Sequence, residues 1–133
     1  IRLPRRATVG SAGYDFFAPE AFSLVPHETI KIPTGIRAEI AEGWVLQIYP
    51  RSGLGFKYRL QMDNTVGIID SDYFTAKNEG HIFIKMTNSN RQGKTLSIVG
   101  GEGFAQGIFL PFGITEDDDA DGERTGGFGS TTK

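Results

Sequence analysis

Between positions 14 and 112 the apolar residues recur at every second position, in short runs cut off by turn residues. Ile36, Ala38 and Ile40 alternate with Arg37 and Glu39; Trp44, Leu46 and Ile48 make one face of 44–49; Ile82, Ile84 and Met86 oppose Lys85 and Thr87. A period of two places alternate side chains on opposite faces of a strand, so each run predicts a half-buried strand. Further strands are predicted over 27–32, 94–99 and 104–112. No window carries the 3.6-residue apolar stripe of a long helix. A short turn of helix over 52–57, with Ser52 as N-cap, is the one helix the pattern supports. Eighteen glycines and six prolines supply the turns between such strands. The chain therefore predicts an all-β sandwich or barrel. At 133 residues it fits one domain.

Charge and composition narrow the function. The net charge of −2 argues against a general nucleic-acid binder, which needs a basic face, while leaving room for a pocket served by a few arginines. With no cysteine, disulfides and thiolate metal sites are excluded. No stretch resembles a signal peptide or a membrane span, so the expected location is cytoplasmic, or the host cytoplasm for a virus- or phage-encoded chain.

Chemistry concentrates in five segments. Asp15 ends Ser11-Ala12-Gly13-Tyr14-Asp15, where a strand begins. Arg51 and Ser52 in Pro50-Arg51-Ser52-Gly53-Leu54-Gly55 stand at a strand-to-helix turn, where backbone N–H groups attract anions. Residues 64–73 run from Asn64 through apolar Gly67-Ile68-Ile69 to Asp70, Asp72 and Tyr73. In a strand or hairpin Asp70 and Asp72 share a face, and a carboxylate beside an apolar run can serve as a base toward water. Gln106 follows Gly103-Phe104-Ala105 at the start of the last strand. The C-terminal stretch Arg124-Thr125-Gly126-Gly127-Phe128-Gly129-Ser130-Thr131 combines a guanidinium, glycines able to form an anion-binding bend, an aromatic face and two hydroxyls. Taken singly, each also reads as ordinary structure: a turn-capping Asp15, a turn with a surface Arg51, a hairpin with two solvated acids, a polar-face Gln106, a loose glycine tail. Residues 115–123 (TEDDDADGE) form an acidic tether that lacks the spacing of a calcium loop and lets the tail reach away from the body.

In order and spacing, SAGYD, PRSGLG, NTVGIIDSDY, GFAQ and RTGGFGST resemble the five motifs of the trimeric dUTPases, and Leu3-Pro4-Arg5-Arg6-Ala7 resembles their lead-in. The resemblance covers nearly the whole chain. It implies an antiparallel jelly-roll-like β-barrel over 1–114 and a linker with a flexible C-terminal arm over 115–133. It further implies a homotrimer in which one chain gives Asp15, Arg51–Gly53 and Gln106, a second the 64–73 hairpin, and a third the arm. The implied reaction converts dUTP to dUMP and pyrophosphate with Mg²⁺ on the triphosphate. This limits uracil in DNA and supplies dUMP for thymidylate synthesis. By the same resemblance Asp70 activates the attacking water, and Asp15 holds the metal through its water shell. Arg51, Ser52, Gly53, Gln106, Arg124, Ser130 and Thr131 contact phosphates. Asn64, Gly67 and Ile69 read uracil, Tyr73 lies under the deoxyribose, and Phe128 covers the base.

The chain departs from the family pattern in three places. Gly103 stands where the fourth motif usually has an arginine, leaving Lys57 or Arg91 as candidate substitutes. Thr75 replaces a glycine, and 75–80 reads as a polar inserted loop able to meet a protein partner. Arg124 is one residue closer to Phe128 than in many members. Two alternatives stay open: a dCTP deaminase on the same fold, which needs an additional buried Glu that 64–73 lacks, and a nucleotide-dependent regulatory module. Direct nucleic-acid binding and membrane contact are not expected.

Overall fold

The computed structural model describes residues 1–127, so Phe128, Ser130 and Thr131 lie outside the described residues. Nine strands and one α-helix follow in order: β1 Tyr14–Phe17, β2 Phe22–Leu24, β3 Thr29–Pro33, β4 Trp44–Pro50, α1 Ser52–Tyr58, β5 Leu60–Met62, β6 Gly67–Ile69, β7 Phe83–Asn88, β8 Leu96–Ile98 and β9 Gly103–Pro111, with a 3₁₀ helix at Ser71–Thr75 before β7. Every pairing is antiparallel. The sheets run β1-β9-β4-β6, β3-β7-β5 and β2-β8. The fold is all-β and jelly-roll-like, as expected, but among the described residues no continuous ladder closes it into a barrel.

Side chains bridge part of that gap. Asn88, fully buried at the end of β7, donates from Nδ2 to the carbonyls of Leu24 (2.8 Å) and Lys94 (3.0 Å), tying β7 to both flanks of the β2-β8 sheet. A buried amide kept in this way is satisfied, which removes the penalty of desolvating it.

The period-two reading holds best in β7. Ile84 and Met86 are fully buried, as is Ile82 just before the strand, while Lys85 points out. Burying one such side chain contributes roughly 1.5–3 kcal/mol. In β4, Leu46 and Ile48 are buried, but Trp44 is 43% exposed because it sits at the sheet's end opposite Pro111. Over 35–41 the alternation is real, with Ile36 and Ile40 buried, yet no strand forms there; Ile36 accepts one backbone bond from Ile82 (2.9 Å). Apolar spacing reports which side faces the core, and it does not report whether a partner strand is in reach.

Two local expectations change. The helix starts at Ser52, so the N-cap is Arg51, in an extended conformation and without a side-chain cap. The polar loop expected at 75–80 is partly structured: the 3₁₀ helix Ser71–Thr75 runs into it and buries Tyr73, and Ala76 is buried after it.

Candidate functional site

β5 and β6 do not pair with each other, so the expected hairpin over 64–73 is a corner. β5 joins β7 in one sheet and β6 joins β4 in another. The turn between them carries Thr65 at a φ of 69°, with Thr65 N–H donating to Met62 O (2.9 Å). Passing from sheet to sheet opens a cavity of about 340 Å³, lined by Ile48, Met62, Asn64, Gly67, Ile69 and Asp70, and also by Tyr73, Phe83, Arg124 and Gly127. That volume suits a small ligand. β6 is the edge strand of its sheet, so one side of its backbone has no strand partner among the described residues. Such an edge offers alternating N–H and C=O groups to a planar, amide-like ring.

Asp70 precedes the 3₁₀ helix as its N-cap in extended conformation, and Asp72 lies in its first turn. The two acids are brought together by a helical turn, and the strand alternation expected from their spacing plays no part. Both pair with Arg124: Nε donates to Asp72 Oδ1 at 2.7 Å, and Nη2 makes a short contact with Asp70 Oδ2. Tyr73 is held from both sides of its hydroxyl, donating to His81 O in a short bond and accepting from Asn78 Nδ2 at 2.8 Å. Its ring is thereby fixed as one wall of the cavity.

The remaining predicted residues form a second group. Arg51 Nε lies 3.5 Å from Asp15 Oδ1, and its Nη1 donates to Gly103 O at 3.3 Å. Gln106 sits opposite Asp15 in the β1–β9 ladder and donates to Pro50 O at 3.2 Å. Ser52 and Gly53 follow at the exposed start of α1. A Cβ at Gly103 would stand 2.7 Å from Arg51 Nη1, the far end of a flexible side chain that can shift aside. Arg51 itself fills the space next to the position where a motif-four arginine was expected. Lys57 shares a cavity with Arg51, Gly53 and Gly103, and Arg91 does not line it.

None of Asp15, Arg51, Ser52, Gly53 or Gln106 lines the corner cavity. The chain thus carries two separate half-sites. The resemblance implied an arm lent by a further chain; in this single chain Arg124 meets its own chain's Asp70 and Asp72, and Lys77 N–H donates to Thr125 O (3.0 Å). Nor is the 75–80 loop loose. Arg37 stacks on Phe74 with 3.6 Å from Cζ to the ring centre and donates to Glu79 O (2.6 Å) and Phe74 O (2.8 Å).

Sequence reasoning missed Ile48, Met62 and Phe83 as cavity walls, Asn78 as the Tyr73 partner, and the Arg124 clamp. Ile48 and Phe83 come from strands whose facing partners periodicity does not reveal. Asn78 had one available signal, a polar side chain five residues after a tyrosine.

Among the described residues no three His, Cys, Asp or Glu side chains gather closely enough to hold a metal ion. No helix there is long and apolar enough to cross a membrane.

A family model described as dUTPase matches residues 1–132. The chain is 44% identical over 134 residues to the deoxyuridine 5'-triphosphate nucleotidohydrolase of Lactococcus lactis, across 98% of this chain and 88% of that protein. The crystal structure of dUTPase from Streptococcus mutans superposes with a TM-score of 0.74 at 37% identity, covering 86% of this chain and 88% of that one. A variant of the dUTPase from phage phi11 of S. aureus, whose structure concerns the coordination of a structural Mg(II) ion, gives a TM-score of 0.71 at 26% identity, covering 91% of this chain and 90% of that one. With the family model spanning nearly its full length and a close relative matched almost end to end, the chain belongs to the dUTPase family.

Proposed function

We propose that this protein hydrolyses dUTP to dUMP and pyrophosphate. The observation that carries the reading is the corner cavity itself, which gathers Asn64, Gly67, Ile69, Asp70 and Tyr73 around one opening. Uracil enters edge-on against β6. Its N3–H and carbonyl oxygens match an open strand edge, whereas cytosine presents a reversed pattern that leaves buried groups unpaired. Against the corner's walls, thymine is rejected by its methyl group. The Tyr73 ring packs under the deoxyribose, where a 2′-hydroxyl clashes.

Asp70 stands at the rim of this cavity, about half exposed. It accepts a proton from a water molecule as the water oxygen attacks the α-phosphorus. The bond from that phosphorus to the bridging oxygen breaks, and pyrophosphate leaves with the electron pair. Positioning and charge neutralisation supply most of the catalysis in such transfers. Arg51, Ser52, Gly53 and Gln106 bind the phosphate oxygens, and Arg51 offers the planar fork that suits them. Arg124, Ser130 and Thr131 reach the phosphate end from the arm, and Phe128 covers the base.

Asp15 belongs to no cluster of three or more His, Cys, Asp or Glu side chains among the described residues, so it offers a hard cation few protein ligands. That chemistry suits Mg²⁺ held chiefly by substrate phosphates and water, with Asp15 bonding to the water shell. When bound, the ion neutralises charge on the triphosphate.

The separation of the two half-sites supports a homotrimer in which the phosphate group of one copy faces the corner cavity of another. Residues 1–114 act as the body and 115–133 as tether and arm of the same functional domain. A cytoplasmic location, or a host cytoplasm, fits this role in nucleotide supply, and the exposed rim of the 75–80 loop is a surface for a protein partner. The test offers the purified protein dUTP, dTTP, dCTP and UTP with Mg²⁺ and measures pyrophosphate and ammonia. Pyrophosphate from dUTP alone is expected; ammonia from dCTP points instead to a deaminase.

A further inference from the structure

We propose that His81 is a positioning residue for recognition of the sugar: it stands behind the corner cavity, holds Tyr73 and Phe83 as two of its walls, and so sets the preference for a deoxyribonucleotide over a ribonucleotide. The proposal rests on the reading of Tyr73 as the platform under the deoxyribose.

His81 is held on several sides. Its ring packs on Phe83, with 4.4 Å between ring centres and 41° between planes. Its Nε2 accepts from the Gly35 N–H at 3.0 Å, which places the imidazole proton on Nδ1. Its backbone N–H donates to Asn78 O at 3.2 Å, and its backbone carbonyl accepts from the Tyr73 hydroxyl in a short bond. Tyr73 and Phe83 both line the corner cavity, whereas His81 lines a smaller one of about 220 Å³ with Gly35, Arg37, Asn78 and Glu79. One residue thus joins two walls of the corner from outside it.

The neighbouring backbone leaves His81 little freedom. The N–H and Oγ1 of Thr34 both donate to Ile82 O, at 3.1 and 2.7 Å, and the Ile82 N–H donates to Ile36 O at 2.9 Å. Residues 34–36 therefore clasp 81–82, and the Gly35 bond to the imidazole is the link of that clasp supplied by the His81 side chain. On the other side Gly80, at a φ of 74°, passes so close to the 3₁₀ helix that a Cβ would lie 2.7 Å from Phe74 Cα and 2.8 Å from Tyr73 O. Those are backbone atoms, which cannot step aside as a side-chain tip can. The close approach brings His81 O to the Tyr73 hydroxyl, and Asn78 spans the same gap, with Nδ2 donating to that hydroxyl and Oδ1 accepting from the Gly80 N–H at 3.2 Å. A phenol bonded both as donor and as acceptor holds one ring orientation. A displaced His81 releases Tyr73 at its hydroxyl and Phe83 at its ring together. Walls loosened in this way no longer exclude one extra hydroxyl on the sugar.

Steady-state hydrolysis of dUTP and UTP with Mg²⁺, and amide hydrogen exchange, are measured on the full chain for the wild type and three variants. His81→Ala removes both side-chain contacts, His81→Gln keeps an acceptor without the ring, and His81→Phe keeps a ring without the acceptor. His81→Ala is expected to lower the dUTP-to-UTP ratio of kcat/KM about tenfold, chiefly through a higher KM for dUTP, with kcat for dUTP within about threefold. His81→Gln and His81→Phe should each recover part of the ratio. Independently of turnover, the Gly35 amide should exchange about tenfold faster in His81→Ala and His81→Phe and stay near wild type in His81→Gln. An unchanged ratio in His81→Ala, an equal loss of kcat on both nucleotides with KM unchanged, or a Gly35 amide indifferent to all three substitutions overturns the proposal. Should His81→Ala not fold, His81→Gln and His81→Phe decide the same question. A wild-type chain that hydrolyses neither nucleotide defeats the functional reading and with it the sugar preference; an active wild type whose ratio survives the substitutions defeats the positioning role alone.

Discussion

The corner cavity and the Arg51 group are built on opposite plans. The corner is concave, walled by Ile48, Met62, Ile69 and Phe83, and its tyrosine is pinned by two hydrogen bonds. The Arg51 group lies along a sheet margin, with Arg51 and Asp15 partly exposed and Ser52 and Gly53 at the open start of a seven-residue helix that buries no residue. The first can select a shape by excluding water and misfits. The second can bind charge but has no wall of its own. On the proposed reading the corner takes the base and the Arg51 group the phosphates, and in one chain the two groups are apart. The proposed assembly of several copies would answer that separation, since in a symmetric ring each corner would meet a neighbour's margin.

The comparison can be broken most directly at Asp70. Asp70→Asn is expected to reduce kcat about 1,000-fold with little change in KM, measured by pyrophosphate release. A variant turning over at the wild-type rate removes the chemical role from the corner. On the other half, Arg51→Ala should lower kcat/KM about 30-fold, in line with losing charge-assisted bonds to phosphate. The two variants together sharpen the picture. Unfolded, mixed in equal amounts and refolded, Asp70→Asn and Arg51→Ala chains should recover about a quarter of wild-type activity if each site pairs one copy's corner with another's margin, because about one site in four is then intact. No recovery means that each chain serves its own site. The smallest effect belongs to Asn78→Ala, which frees one side of the Tyr73 hydroxyl. An increase in KM of up to about fivefold is expected, the worth of one hydrogen bond.

How much of this was legible beforehand differs along the chain. β7 was readable because the buried Ile82, Ile84 and Met86 alternate with half-buried Phe83 and Thr87 and exposed Lys85. Residues 35–41 show the same alternation and form no strand, since a ladder needs a partner that local spacing does not describe. Asp70 and Asp72 were singled out correctly as neighbours in space, but for the wrong local reason: a 3₁₀ turn brings them together. Gly103 looked like a missing cation, and the structure places the Arg51 guanidinium beside it. The 75–80 stretch read as a polar inserted loop, and the structure ties it down through Arg37 to Glu79 O and Phe74 O and through Asn78 to Tyr73.

The period-two alternation pointed to the all-β class and the order of the motifs to the family, because residue types and their spacing along the chain are properties of the sequence. Tertiary structure decided which of those residues meet. Arg124 reaches Asp72 and Asp70 across 52 and 54 positions, and the corner cavity and the Arg51 group of one chain stay separate. Such encounters depend on where sheets cross and strands end, and those are set by the packing of the whole core, which no local window of residues contains.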